Sequence, residues 1–156
     1  PRYSRTMPIR TVAALLALLL APEAGGRAAL AQTRPFTVVD GSAIPAPLAE
    51  APGDARRGAA IAIDRAKGNC LACHGLPVPE PLQGNIGPDL VGVASRLTEG
   101  ELRLRVVDPK IVNAETAMPA YYRVDGLFRV RQDMVGRPIL AAQEIEDVVA
   151  YLRTLK

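Results

Sequence analysis

Tryptophan is absent from these 156 residues, and phenylalanine and tyrosine together supply only 4% of them. Aromatic side chains bring the largest apolar areas to an interior, so side chains alone would give a thin core. Histidine occurs once and cysteine twice. A structural zinc site wants four protein ligands, and three Cys/His residues cannot complete one without an oxygen donor or a second chain. No apolar stretch approaches the ~20 residues that a membrane-spanning helix needs; the run Val12 to Ala21 has ten. Strand-like alternation of any length is missing too. The net charge of +3 is misleading, because Arg2, Arg5, Arg10 and Arg27 against Glu23 account for all of it. Residues 32–156 carry fifteen Lys/Arg and fifteen Asp/Glu. That balance lacks the concentrated basic footprint of a nucleic-acid binder.

The early charge and the short apolar run together read as an export signal. Arg10 precedes the run, and Ala29-Leu30-Ala31 offers a small-x-small cleavage site before Gln32. The true start is expected at Met7. Residues 1–31 are expected to be a cleaved secretory signal region, delivering the chain across the inner membrane to the periplasm with no stable membrane anchor. Residues 32–156 then make one ordinary domain in length.

Both cysteines and the single histidine lie in Cys70-Leu71-Ala72-Cys73-His74. C-x-x-C-H is the attachment pattern of c-type haem. Each thiol adds to one vinyl group, and the histidine beside the second thioether reaches the iron as proximal ligand. Two side chains must reach two porphyrin edges while the third points at the metal, which explains the spacing. A thioredoxin-like redox pair shares C-x-x-C but needs a βαβ surround that the flanking sequence lacks. The expected cofactor is therefore one covalent haem c, whose porphyrin would provide the missing apolar bulk. Export agrees, since attachment takes place outside the bacterial inner membrane. With both thiols consumed, no disulfide is left to stabilise the fold.

Residues 32–53, with Pro35, Pro45, Pro47 and Pro52, read as an extended arm, either a mobile tail or a strap lying on a partner subunit. Asp54 is placed to cap a helix expected to run to Ala66, ended by Gly68-Asn69. Gly58 inside it costs about 1 kcal/mol relative to Ala, which close approach of another helix would explain. Gly75 to Gly87 reads as loop. Thr98 and Glu101 form a capping box for a helix stopped by Asp108-Pro109, and residues 110–140 are irregular. Ile145, Val148, Val149, Leu152 and Leu155 make one apolar stripe of a last helix. Glu144, Glu146 and Asp147 are expected in its first turn and Arg153 and Lys156 in its last, matching the macrodipole. Ala141 and Ala142 offer it a poor N-cap.

A haem iron held by one histidine has a sixth position. With no second histidine, the candidates are Met, Lys, Tyr, water or an exchangeable ligand. Met/His ligation is usual in electron-transfer cytochromes. Met118, followed directly by Pro119 in a loop after the Pro109 helix stop, is favoured; Met134, in the polar stretch Arg131-Gln132-Asp133, is the weaker alternative. A thioether there closes the iron to substrates and argues for outer-sphere electron transfer, whereas a labile site would argue for ligand binding.

The order of a glycine-bearing helix, C-x-x-C-H-G, Gly87-Pro88-Asp89-Leu90, a capped helix, Met-Pro and a terminal amphipathic helix with Tyr151 resembles class I cytochromes c over residues 54–156. The resemblance implies an all-α fold wrapped around one haem, with the Pro88 carbonyl accepting the His74 imidazole N–H and Gly58 lying beneath Tyr151 where the first and last helices cross. Ile61 or Ala62 stands where the family usually has a large aromatic. Lys67 to His74, Met118-Pro119-Ala120-Tyr121-Tyr122-Arg123-Val124 and Ile139 to Leu152 further resemble the SoxX family, the small mono-haem subunits of SoxAX complexes in bacterial sulfur oxidation. Ala141 replaces a capping Thr common in relatives.

That likeness implies a SoxA-like cytochrome partner in a heterodimer, the SoxYZ carrier as the protein to whose cysteine thiosulfate is joined, and a soluble cytochrome c or similar electron acceptor. Because no thiol remains here, no catalytic residue is expected on this chain. The sulfur chemistry would belong to the cysteine-ligated haem of SoxA, and this chain would be the electron-accepting subunit of the thiosulfotransferase. Arg123 is a candidate propionate partner or a solvated side chain. The competing reading is a free periplasmic carrier between a reductase and an oxidase or reaction centre; the arm and the length beyond a minimal cytochrome favour the subunit. Ligand sensing would require an exchangeable sixth ligand.

Overall fold

The computed structural model describes residues 33–156; the expected signal region, with its start and cleavage site, lies outside the described residues. Asp54 starts helix α1 (Ala55–Ile63) as anticipated, its carboxylate accepting from the Arg57 amide at 2.9 Å. The helix stops a turn before Ala66. There the Asp64 carboxylate takes the Ala66 N–H at 2.8 Å and the Gly68 amide returns to the Ile61 carbonyl at 3.1 Å. A short acidic side chain bonding its own backbone competes with helix continuation. Helix α2 (Val93–Arg96) is a single turn that sequence reading missed, tied to the C-terminal segment by Ala94 N donating to the Leu155 carbonyl at 3.0 Å.

Helix α3 (Glu99–Val107) carries the anticipated capping box, with Thr98 N donating to Glu101 Oε2 at 2.8 Å. It buries Leu102, Leu104, Val106 and Val107, and Asp108 ends it. Helix α4 (Ala142–Leu152) buries every residue of the predicted stripe that it contains, and Leu155 beyond it is buried as well. Glu144 Oε2 accepts from Ala141 N at 2.9 Å and offsets the weak cap. The dipole expectation needs correcting at both ends. Glu146 and Asp147 are themselves buried, turned toward Arg103 and Arg57, and Arg153 and Lys156 lie past the last helical residue. Among the described residues there is no strand, only the isolated bridge between Val39 and Ala43. Nor is any helix among them long and apolar enough to cross a membrane.

α1 crosses α4 at Gly58. A Cβ on Gly58 would lie 1.9 Å from the Asp147 carbonyl oxygen and 2.9 Å from Tyr151 Cβ, so only a hydrogen there lets the helices meet. The same contact is clamped by charge. Arg57 Nε donates to Asp147 Oδ2 at 2.8 Å and Arg57 Nη2 to Oδ1 at 2.9 Å, and Asp54 N and Gln143 Nε2 also donate to Oδ1. Burial alone would raise the Asp147 carboxyl, but Arg57 and the other donors outweigh it and hold it below the usual carboxylate range. A group depressed in the folded state contributes stability that is present above its unfolded pKa, about 3.9, and is lost as pH falls through the folded value. Urea midpoints are therefore expected to fall below about pH 4, and Asp147→Asn is expected to flatten that acid limb while lowering stability at neutral pH. An unchanged acid limb in the variant would contradict this assignment.

The arm is not a loose tail: it packs on its own domain. Ile44 and Leu48 are buried, Ile44 N donates to the Gly100 carbonyl at 2.9 Å, and Arg34 N donates to the Tyr122 hydroxyl at 2.8 Å. Arg103, 1% exposed, holds it from beneath. Its guanidinium grips Glu146 through Nε and Nη2, both at 2.9 Å, and donates to the Ile44 carbonyl at 2.8 Å and to Glu99 at 2.7 Å. Glu146 Oε1 accepts from Leu48 N at 2.9 Å. Burial would lower the guanidinium pKa, but Glu146 and Glu99 raise it, so Arg103 stays charged.

Candidate cofactor site

Asn69 takes a left-handed conformation (φ 46°) and launches a 3-10 turn over Cys70–Ala72. The amides of Cys73 and His74 both return to the Cys70 carbonyl, at 3.1 and 2.9 Å. This tight turn places Cys70, Cys73 and His74 on the wall of a cavity of about 760 Å³. Leu102 and Val106 of α3, Val148 and Leu152 of α4, and Leu140 supply apolar wall, and Pro88 and Met118 also line it. Cofactor cavities of this size and apolar character with a few polar groups are the usual form of such sites.

His74 is held from behind. Its Nδ1 lies 2.6 Å from the Pro88 carbonyl oxygen, and a carbonyl only accepts, so Nδ1 carries the proton and Nε2 keeps its lone pair. A hydrogen bond on one ring nitrogen orients the other as a metal ligand. Gly87 makes room for the ring, because a Cβ there would sit 2.3 Å from His74 Cε1. The loop before it is braced by Gln83, which accepts from Leu76 N at 2.6 Å and donates to the Val78 and Glu80 carbonyls.

Burial pushes the Cys70 thiol up to about 11, the opposite of the lowered pKa that makes a C-x-x-C pair a redox dithiol. Met118 is half-buried against the core and lines the cavity, whereas Met134 sits in the 3-10 turn Gln132–Met134 and does not. Arg123 is taken by buried Asp108, with Nε donating at 2.8 Å, and is absent from the cavity wall. Among the wall residues with no role assigned from sequence are two large polar ones. Arg105 and Tyr121 both face the cavity. Tyr121 entered the sequence reading only within the resembling segment Met118 to Val124, with no role of its own.

Two thiols, an imidazole with its outer nitrogen unengaged, a thioether and an apolar cavity are the donor set that covalent haem takes. The family model for cytochrome c matches residues 55–156. The chain belongs to the cytochrome c family, and its cofactor is covalently attached haem c. A chain in the crystal structure of SoxXA from P. pantotrophus is 42% identical, with a TM-score of 0.70 over 78% of this chain and 94% of that one. The protein is a SoxX-like cytochrome. No curated protein matches it.

Proposed function

We propose that this chain is the mono-haem, electron-transferring subunit of a SoxAX-type L-cysteine S-thiosulfotransferase, working in the periplasm beside a SoxA-like partner. Its 42% identity to a chain of SoxXA is the observation that carries this reading. Cys70 and Cys73 would tether the haem, His74 and Met118 would ligate its iron, and the Pro88 carbonyl would fix the imidazole. When bound, haem c supplies one-electron oxidation and reduction. The chain's own part is to hold that group dry and rigid: the apolar wall from α3 and α4 excludes water, and the Pro88 carbonyl keeps the His74 tautomer.

Joining thiosulfate to a SoxYZ cysteine releases an electron pair. Both cysteines here are committed to tethering, so the sulfur chemistry falls to the partner. This subunit relays the electrons to a soluble cytochrome c or similar acceptor. The test is co-expression with a SoxA-like subunit, followed by thiosulfate-dependent reduction with SoxYZ present. Recovery of this chain alone, reducible without a partner, would favour a free periplasmic carrier instead.

The ligand assignment has its own measurement. Met118→Ala is expected to abolish the far-red sulfur-to-iron absorption band while Met134→Ala leaves it intact; loss with Met134→Ala alone reverses the assignment.

A further inference from the structure

The segment that carries Met118 is held unevenly. Upstream, Asn113 to Glu115 are exposed, and the contacts are light: Met118 N donates to Thr116 Oγ1 at 3.2 Å, and exposed Lys110 donates to the Thr116 carbonyl at 2.8 Å. Downstream, three residues on, Tyr121 is fixed from three directions. Its amide donates to the Val106 carbonyl of α3 at 3.2 Å, its carbonyl accepts from Leu140 N at 3.0 Å, and its buried hydroxyl donates to the Gly68 carbonyl at 2.6 Å. Gly68 is itself buried and stands two residues before Cys70. One phenol thus joins the methionine loop directly to the peptide that carries both thiols, across 53 residues of chain.

We infer that Tyr121 is a positioning residue that holds Met118 in place as iron ligand by pinning its loop to the haem-binding turn. The inference rests on the ligand assignment above. A buried carbonyl that loses its only donor among the described residues is costly, and here the cost falls on the junction between the two sides of the cavity. Opening the methionine loop then becomes easier while helices α1, α3 and α4 keep their packing.

The test compares Tyr121→Phe with Tyr122→Phe in the holoprotein. Tyr122 is buried next door, and its hydroxyl accepts from Arg34 N in the arm, so its loss also removes a hydrogen bond but leaves the wall of the cofactor cavity untouched. Tyr121→Phe is expected to speed carbon monoxide binding to the reduced protein by about tenfold or more, the ratio a lost buried hydrogen bond produces. The sulfur-to-iron band should also fade at a temperature below helix melting. Tyr122→Phe should lower the melting temperature with band and binding rate unchanged. If Tyr121→Phe lowers melting while its band and carbon monoxide rate follow the wild type, the residue is structural only and the inference fails. Should that variant not be recovered, hydrogen exchange on the wild-type holoprotein decides: Tyr121 and Leu140 amides are expected to exchange only with global unfolding, and exchange through a smaller opening overturns the proposal. Met118→Ala serves as the control, since a band surviving there removes the ligand assignment itself rather than the role of Tyr121.

Discussion

Replacing Gly58 by alanine is expected to destabilise the protein by about 3 kcal/mol or more, although alanine is the better helix former by about 1 kcal/mol. Two effects of opposite sign compete at this position, and geometry decides between them. The added methyl would meet the Asp147 carbonyl at 1.9 Å. Backbone atoms cannot swing aside as a flexible side chain does, so α1 and α4 must separate along their length. That separation loosens the Arg57–Asp147 clamp and moves Val148 and Leu152 away from the cavity wall. Urea unfolding followed by helix circular dichroism measures the effect; a variant as stable as wild type would show that the helices do not meet there.

Glu146→Leu is expected to cost about 3–5 kcal/mol, because it strands the Arg103 charge in an environment where the guanidinium is 1% exposed. The ion pair itself need not be a large net gain, since desolvating two charges offsets much of their attraction. The double variant Arg103→Met/Glu146→Leu is therefore expected to recover part of the loss. Full recovery is not expected: the Ile44 carbonyl and the Leu48 amide would still lack their partners. A double-mutant cycle on the urea midpoints gives the coupling directly. A second readout is protease cleavage between residues 45 and 53, which should quicken when the arm comes loose. A single variant losing less than about 1 kcal/mol would refute the argument.

Local chemistry made much of this fold legible in the sequence. The capping box at Thr98 and Glu101, the apolar stripe from Ile145 to Leu152 and the cluster of every Cys and His in one turn each depend on residues a few positions apart, and each stands in the structure as read. Gly58 was legible through its cost: a helix interior carries glycine when something presses on it. The misses are contacts between distant residues. Nothing near Glu146 announces Arg103, so two inward charges read as a helix-dipole pattern. Ile44 and Leu48 were masked by the prolines around them, which speak of an extended backbone and say nothing of where it lies. Arg123 could be weighed against solvent or propionate, but its partner Asp108 was visible only as a helix stop. Of the cavity wall, Met118 came from its loop context and Pro88 from the family resemblance, while Tyr121 needed the structure, because a hydroxyl bonding to a backbone carbonyl 53 residues away leaves no local pattern.

The two helices that meet at Gly58 begin at Ala55 and Ala142, so most of the domain separates them along the chain. Closing a loop of that length must precede any reward from the contact, and topologies dominated by such long-range pairings fold slowly. A chain growing from its N-terminus therefore has its thiol-bearing turn available well before α4 arrives to cover α1. In that interval the glycine face of α1 is bare, and a product cut short ahead of Ala142 would stay that way, open to proteolysis however well its earlier segments were made.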